Sequence, residues 1–319
     1  MTLQSVRREP FPSPRPTRSR RLTAPAVLVA AVTTILAAGA VQPAAQQRET
    51  RERHIYASVT GSNEQPITGL TAKDFVVRED DVAREVLRVG EAPPPTHIAL
   101  LIDDTEVARP VIQDIRNSAL AFVRAVMKSS PAPQVALITF GERPTRVVNY
   151  ANAAGPLEQQ INRIFSRPTS GSYLMQALVE ETAVLRKAEA TRPVIVALVV
   201  ESGPEFSNET HQRVEEALKA SGASLWTVVL QDRTGNLNDT DARERAIVLG
   251  DSTTASGGRN RVVLSRQGLE SAMTKLAAEL AARYDITYGR PDSLVPPQKL
   301  KLEVTREGAR VAAPSWPGR

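Results

Sequence analysis

Cysteine is absent from the 319 residues. That excludes disulfides, thiolate-bound metals and a lipid attached through a cysteine. Histidine occurs only at His54, His97 and His211, with no two close in sequence and no Ser/His/Asp order standing out. A lone histidine on a strand, as at His97, is ordinarily a packed or solvated residue rather than a catalyst. Aromatic residues make up 4% of the chain against 41% hydrophobic residues overall, so the core must be built from Val, Leu, Ile and Ala. No glycine-rich phosphate loop occurs, because Ser256-Gly257-Gly258 lacks the fingerprint spacing and reads as a turn.

A charge surplus is also missing from the body of the chain. Residues 1–40 carry six Arg and one acid, Glu9, a net of +5, which equals the net charge of the whole chain. The remainder is neutral, so nucleic acid is not an expected partner. The same forty residues read as an export leader. Six arginines between Arg7 and Arg21 form a basic region, Ala24 to Ala40 is apolar, and Ala38-Gly39-Ala40 is a small-x-small cleavage pattern. An uncleaved anchor is the alternative and the one expected route to a membrane; the segment is short and Ala-rich for a span. The protein is therefore expected to be exported, periplasmic or secreted.

What the sequence does contain is organised around one stretch, Thr96-His97-Ile98-Ala99-Leu100-Leu101-Ile102-Asp103-Asp104-Thr105-Glu106-Val107, set off by Pro93 to Pro95. A short apolar run bounded by turn signals reads as a fully buried strand, of the kind found in parallel sheets covered on both faces. Gln134 to Phe140 and Pro193 to Val200 are further buried strands, Ser224 to Leu230 is another strand, and Arg146 to Tyr150 is a candidate antiparallel edge. Between them lie amphipathic helical patterns at 109–128, 173–189, 209–220 and 267–283. This alternation predicts an α/β fold, a doubly wound, mostly parallel sheet with helices on both faces. In such sheets ligands bind outside the carboxyl ends of the strands. Residues 41–53 are expected to be a disordered linker, 54–92 a small N-terminal β unit, 96–288 the main domain, and 289–319 a tail with a strand at Leu300 to Thr305. The β unit is too small to hold a core alone and should pack on the main domain.

These residues resemble a known family. The chain is similar to von Willebrand factor type A (VWA) domain proteins and, more narrowly, to the secreted bacterial VWFA-related proteins common in Acidobacteria. The resemblance rests on Ile67 to Phe75 followed by Arg78-Glu79-Asp80, on His97 to Thr105, on Val135 to Phe140, on Ala255-Ser256-Gly257-Gly258, and on Leu276 to Tyr288 as a closing helix and strand. It implies a metal-ion-dependent adhesion site with a first loop Asp-x-Ser-x-Ser, a Thr from a second loop and an Asp from a third. Carried over, Asp103 matches the first Asp, Thr105 keeps a hydroxyl at the first Ser, and Ser172 keeps one at the Thr. Val107 stands at the second Ser without an oxygen, and Ser202 stands at the third-loop Asp without a charge. Mg²⁺ takes about six oxygens and dehydrates reluctantly, so Asp103, Thr105 and Ser172 make a degenerate site that holds Mg²⁺ weakly or not at all. The resemblance thus implies a non-enzymatic module that binds an unidentified protein through Asp104, Glu106, Ser170 and Ser202 around that site. Two alternatives stand beside it: an Mg²⁺-dependent adhesion module repaired by Asp104 or Glu106, and an enzyme of unrecognised type. The plainest reading of Asp103 and Asp104 is that they end a strand and cap the helical region after it.

Overall fold

The computed structural model describes residues 50–128, 131–231, 240–291 and 295–317. The export leader of residues 1–40 and most of the predicted linker lie outside the described residues. So does nearly all of the polar loop expected between Gln231 and Thr240.

In chain order the strands are β1 (Thr50–Thr60), β2 (Phe75–Glu79), β3 (Val82–Arg84), β4 (Val86–Glu91), β5 (His97–Ile102), β6 (Gln134–Thr139), β7 (Thr145–Ala151), β8 (Val194–Val200), β9 (Ser224–Leu230), β10 (Asn260–Val263), β11 (Arg283–Pro291), β12 (Leu300–Val304) and β13 (Arg310–Ala312). The helices are α1 (Ile112–Val126), α2 (Ala154–Ile161), α3 (Leu174–Lys187), α4 (His211–Ser221), α5 (Thr240–Ile247), α6 (Thr253–Ala255) and α7 (Leu269–Ala281). Pro110 closes a 3₁₀ turn, Glu106–Val111, ahead of α1, where its missing N–H costs nothing.

The central sheet has six strands in the order β10-β9-β8-β5-β6-β7, all parallel except β7 at the edge. The alternation of side chains along β5 divides the core in two. Ile98, Leu100 and Ile102 face α1 and α7, packing with Phe122, Met273 and Leu276. Ala99 and Leu101 face α3 and α4, packing with Leu178, Leu185, Val214 and Leu218. Both faces are therefore buried, which is why β5, β8 and β9 read as continuous apolar runs. The chain runs outward from β5 to β6 and β7 on one side, then returns to β8, β9 and β10 on the other. The strand order reverses between β5 and β8, so the crevice at their carboxyl ends is the topological switch point.

The domain division expected from sequence needs correction. β1 begins at Thr50, inside the stretch 41–53 expected to be a linker, because it pairs along its length with β11, from Thr50 opposite Pro291 to Ser58 opposite Arg283. β11, expected to close the main domain, pairs with β1 and β4 instead. The tail, expected to hold a strand at Leu300 to Thr305, supplies β12 against β2 and also β13 against β1. One sheet in the order β13-β1-β11-β4 and another in the order β12-β2-β3 thus share a core that includes Ile55, Val59, Phe75, Val77, Ile286 and Leu302. The physical reason is area: residues 54–92 alone cannot bury a core, and strands from the other end of the chain complete it. The Tyr284 hydroxyl donates to the Ile67 carbonyl at 2.8 Å, and that of Tyr288 donates to Glu79 Oε1 at 2.7 Å. The β2–β3 turn falls on Asp80 and Asp81, both at positive φ, which aspartate tolerates better than most residues.

Candidate functional site

The site forms at the switch point because three chain segments leave the sheet there. The first is Asp103 to Val107 after β5, the second Phe165 to Tyr173 ahead of α3, and the third Glu201 to Ser207 after β8. Backbone bonds tie them together. Arg167 N donates to the Asp104 carbonyl at 2.8 Å, Ser172 N to the Pro204 carbonyl at 2.8 Å, and Phe206 N to the Ser172 carbonyl at 2.7 Å.

Asp103 is 1% exposed. Its Oδ1 accepts from Thr105 N at 3.0 Å and Thr105 Oγ1 at 2.6 Å, and its Oδ2 accepts from Val200 N at 2.9 Å. The first pair is an Asx turn that ends β5; the third bond ties β5 to β8 across the switch point. Burial pushes the Asp103 carboxyl above the usual carboxylate range, opposed by those hydrogen bonds and by the charge of Arg245. Asp104 is also buried. Gly141 N donates to its Oδ1 at 2.6 Å, and Arg167 Nε donates to its Oδ2 at 2.9 Å. The bond to Asp104 is the main reason the Arg167 guanidinium is held above its ordinary value. Arg167 also pairs with Glu142 at 3.0 Å.

The resemblance groups Ser172 with Asp103 and Thr105 of the first loop; in the structure its side chain bonds to the third loop and to the start of α3. Ser172 Oγ donates to Glu205 Oε2 at 2.7 Å and accepts from Leu174 N at 3.2 Å, at the start of α3. Glu205 is 1% exposed, and its Oε1 accepts from Ser207 Oγ at 2.5 Å. Burial raises its pKa, with Ser207, Ser172 and Arg245 opposing. Arg245, on α5, reaches under the third loop, where its Nη2 donates to the carbonyls of Glu201 at 2.6 Å and Gly203 at 2.9 Å. A buried guanidinium therefore acts on both buried carboxylates.

Of the four residues expected to meet a partner, Asp104 and Ser202 are buried. Glu106 is exposed and accepts from Thr169 N at 2.6 Å; Ser170 is half-buried and donates to the Arg167 carbonyl at 2.8 Å. Asp104 and Glu106, considered as repairs to a metal shell, are thus held by Arg167 and Thr169. Val107 brings methyl groups, not an oxygen, against Gly203, where an added Cβ would lie 3.2 Å from both of them. The donor set does not fit the octahedral oxygen shell of Mg²⁺. Thr105 and Ser172 direct their hydrogens at carboxylates, and the local cation is an arginine. Arg167, Glu205 and Arg245 carry no local signal in the sequence beyond Glu205 falling in the third loop, since each acts through a partner far away in the chain.

No protein family model matches the sequence, and no curated relative does. Among solved structures, the chain is similar to a von Willebrand factor type A protein from Catenulispora acidiphila, at 10% identity and a TM-score of 0.46, over 85% of this chain and 75% of that one. It is similar to the vWF domain of a type V pilus tip protein from Porphyromonas gingivalis at 12% identity and a TM-score of 0.44, over 58% of this chain and 95% of that one. A pilus adhesin of Lactobacillus rhamnosus GG, in its open conformation, matches at 11% identity and a TM-score of 0.46, over 76% of this chain and 47% of that one. These likenesses concern the fold alone.

Proposed function

We propose that the chain is an exported, non-catalytic protein-binding module whose binding face is the rim at the switch point, used without a metal ion. The observation that carries this reading is a contrast on one surface. The rim carboxylates Asp103, Asp104 and Glu205 are committed to internal donors, whereas Phe165 and Phe206 on the same loops are 63% and 51% exposed. Exposed aromatics on a rigid frame are the usual anchors of protein interfaces. Phe206 packs edge-on against Tyr173 at 6.0 Å, and the Arg167 guanidinium lies 5.9 Å from the centre of the Phe165 ring. Both rings are thus held by the loops that form the site. Glu106 and Ser170 supply a polar edge beside them.

The non-catalytic part of the reading is supported by how the three buried carboxylates are used: Asp103 and Glu205 are bonded to hydroxyls and backbone N–H groups, and Asp104 to Gly141 N and Arg167, rather than presented to a substrate. The export part rests on the basic and apolar segments of residues 1–40. No helix among the described residues is long and apolar enough to cross a membrane.

The lack of cysteine offers a direct test. Ser170→Cys places a unique thiol on the rim for a photo-crosslinker, and Thr274→Cys places one on the exposed face of α7. A discrete adduct from Ser170→Cys in envelope extracts is expected, absent from Thr274→Cys, unchanged by chelator and lost when Phe206→Ala is added. An adduct that requires Mg²⁺, or one that survives Phe206→Ala, would overturn the proposal.

A further inference from the structure

β1 has one side paired along its length and one side largely open. β11 pairs with it from Thr50 to Ser58, whereas β13, on the other side, reaches only Ser58 to Thr60. Among the described residues no strand lies against that second side from Thr50 to Ala57. Backbone groups alternate in direction along an antiparallel strand, so the register identifies the ones left over. On β11, Arg283 and Gly289 bond away from β1: the Arg283 carbonyl accepts from Ala92 N at 2.8 Å, and Gly289 N donates to the Glu85 carbonyl at 2.9 Å. The residues of β11 that bond toward β1 are therefore Tyr284, Ile286 and Tyr288, opposite Ala57, Ile55 and Arg53. Glu52, His54 and Tyr56 point the other way, in the direction of Ser58 and Thr60, which meet β13. The Tyr56 carbonyl accepts from Arg283 Nη2 at 3.1 Å. The Tyr56 N–H and the backbone groups of Glu52 and His54 have no strand opposite them on that side and no other backbone hydrogen bond among the described residues. Glu52 and His54 are exposed and Tyr56 is half-buried, so these groups can be reached.

The gap has a local cause. β13 ends at Ala312, and the residues after it would continue opposite Ala57 and Tyr56, but Pro314 has no N–H to give a ladder. The chain turns there onto α6, where Ser315 N donates to the Ala255 carbonyl at 2.9 Å. Between β1 and the diverted chain lies a cavity of about 680 Å³, at the opposite end of the central sheet from the rim. Arg53 lines it as well as Glu52, His54 and Tyr56, so side chains of both faces of β1 border it, as they do where a cavity lies against a strand's edge. Leu185, Pro193 and Trp316 contribute apolar wall, and Lys219 Nζ stands 5.0 Å from the centre of the Trp316 ring. Six cations line the cavity against two carboxylates, and one of the two, Glu52, is already paired with Arg88 at 2.8 Å. Arg186 and Lys219 are exposed; the more buried cations behind them raise the potential of the cavity without touching what occupies it. Open edges invite indiscriminate pairing on a free surface, and the recess shields this one from it.

We propose that β1 takes up an extended acidic segment of a partner protein as an added strand, continuing the line of β13 along Tyr56, His54 and Glu52. Backbone bonds to Glu52, His54 and the Tyr56 N–H hold the segment, its acidic side chains meet Arg186 and Lys219, and its alternate side chains meet Leu185 and Trp316. This site is separate from the rim and does not depend on it.

The test uses the full chain and two capped hexapeptides, Glu-Val-Glu-Val-Glu-Val and Lys-Val-Lys-Val-Lys-Val, followed by fluorescence polarisation and by amide hydrogen exchange. The acidic peptide is expected to bind at least tenfold more tightly than the basic one and to slow exchange at the amides of Glu52, His54 and Tyr56. The amides of Arg53 and Ile55, bonded to β11, should exchange slowly with or without it. His54→Pro removes the outward N–H and leaves the ladder to β11 intact, so it should weaken binding at least tenfold while the unfolding midpoint stays within a few degrees. Phe206→Ala, on the rim, should leave binding unchanged; loss of binding there would place the peptide on the rim and overturn the proposal. No binding of the acidic peptide, equal binding of the basic one, or His54→Pro leaving affinity unchanged would each overturn it too. So would protection of the three amides that needs no peptide and grows with protein concentration, since the occupant would then be a second copy of the chain. If His54→Pro does not fold, Glu52→Pro decides by the same tenfold criterion.

Discussion

Arg245 is the residue on which the interior of the rim depends, and replacing it with methionine tests that directly. The side chain is 5% exposed, donates to two loop carbonyls at 2.6 and 2.9 Å, and opposes the effect of burial at both Asp103 and Glu205. Methionine fills similar space and removes the charge and the donors together. Taking one partner out of a buried charge cluster costs about 3–5 kcal/mol, because what remains is an uncompensated buried charge. For a unit of this size each kcal/mol moves the midpoint by roughly 2–4 °C, so the expected loss is about 6–20 °C.

The pH dependence separates this from a simple packing effect. Asp103 and Glu205 already have folded values above their ordinary ones, and without Arg245 these rise further. A carboxyl group of that kind takes up protons on folding. Its contribution is fully present below the unfolded value, about 4, and is lost as pH rises through the folded value. The deficit of Arg245→Met should therefore be smallest near pH 4 to 5 and widen toward pH 8. Arg245→Lys keeps a charge but loses the fork, and should fall between parent and methionine variant. Midpoints measured by circular dichroism across that pH range check the argument. A deficit independent of pH would refute it, leaving Arg245 as a hydrogen-bond donor to the third loop and nothing more.

Asp103→Asn removes one of the two raised carboxyl groups, so the parent's stability measured against this variant should decline from about pH 4 toward neutrality; a parent that instead gains on the variant as pH rises would mean the folded value is depressed. Gly258→Ala should prevent folding or cost well over 4 kcal/mol, since a Cβ there would fall inside the Leu225 carbonyl, which is backbone and cannot swing aside; soluble expression with a normal midpoint would refute this. Gly171→Ala builds a methyl group into the Phe206 ring, which is half exposed and can be pushed off Tyr173 toward solvent, so it should cost only about 1 kcal/mol while displacing the aromatic anchor. Rim-specific cross-linking should therefore drop in Gly171→Ala with its midpoint nearly unchanged, and unaltered cross-linking would count against Phe206 as an anchor. Trp226→Ala, at the largest fully buried side chain, should cost about 3–5 kcal/mol by chemical denaturation.

How much of this was legible in the sequence depends on the range of each interaction. The buried strand ending in Asp103 announces itself in six consecutive residues, and the helices on either side come from local periodicity, so the doubly wound sheet was readable almost to its strand ends. The grouping of Asp103, Thr105 and Ser172 was implied by the resemblance to VWA domains and by no local pattern in the sequence. The second fold unit was not legible, because β1 is completed by β11 from the far end of the chain, and no local pattern encodes a pairing of Thr50 with Pro291. The partners of the rim carboxylates were illegible for the same reason. Arg167 before a proline and Arg245 on a short polar helix look like solvated charges until the fold brings them to Asp104 and to the third loop.

Those unseen partners change what the departures from the metal-loop pattern mean. Read alone, Val107 and Ser202 are a lost hydroxyl and a lost carboxylate, and the site looks like a metal site in decay. With Arg245 in place they belong to one rearrangement. A fixed guanidinium supplies the positive charge that Asp103 and Glu205 require, Val107 packs on Gly203 beside it, and a third-loop carboxylate would be an additional buried anion to neutralise. A cation carried on the chain does not leave with chelator or compete for hydration, which is the ground for proposing a rim that works without a metal ion. On that proposal, what the rim offers a partner is shape and aromatic surface, at Phe165 and Phe206, rather than an open coordination position.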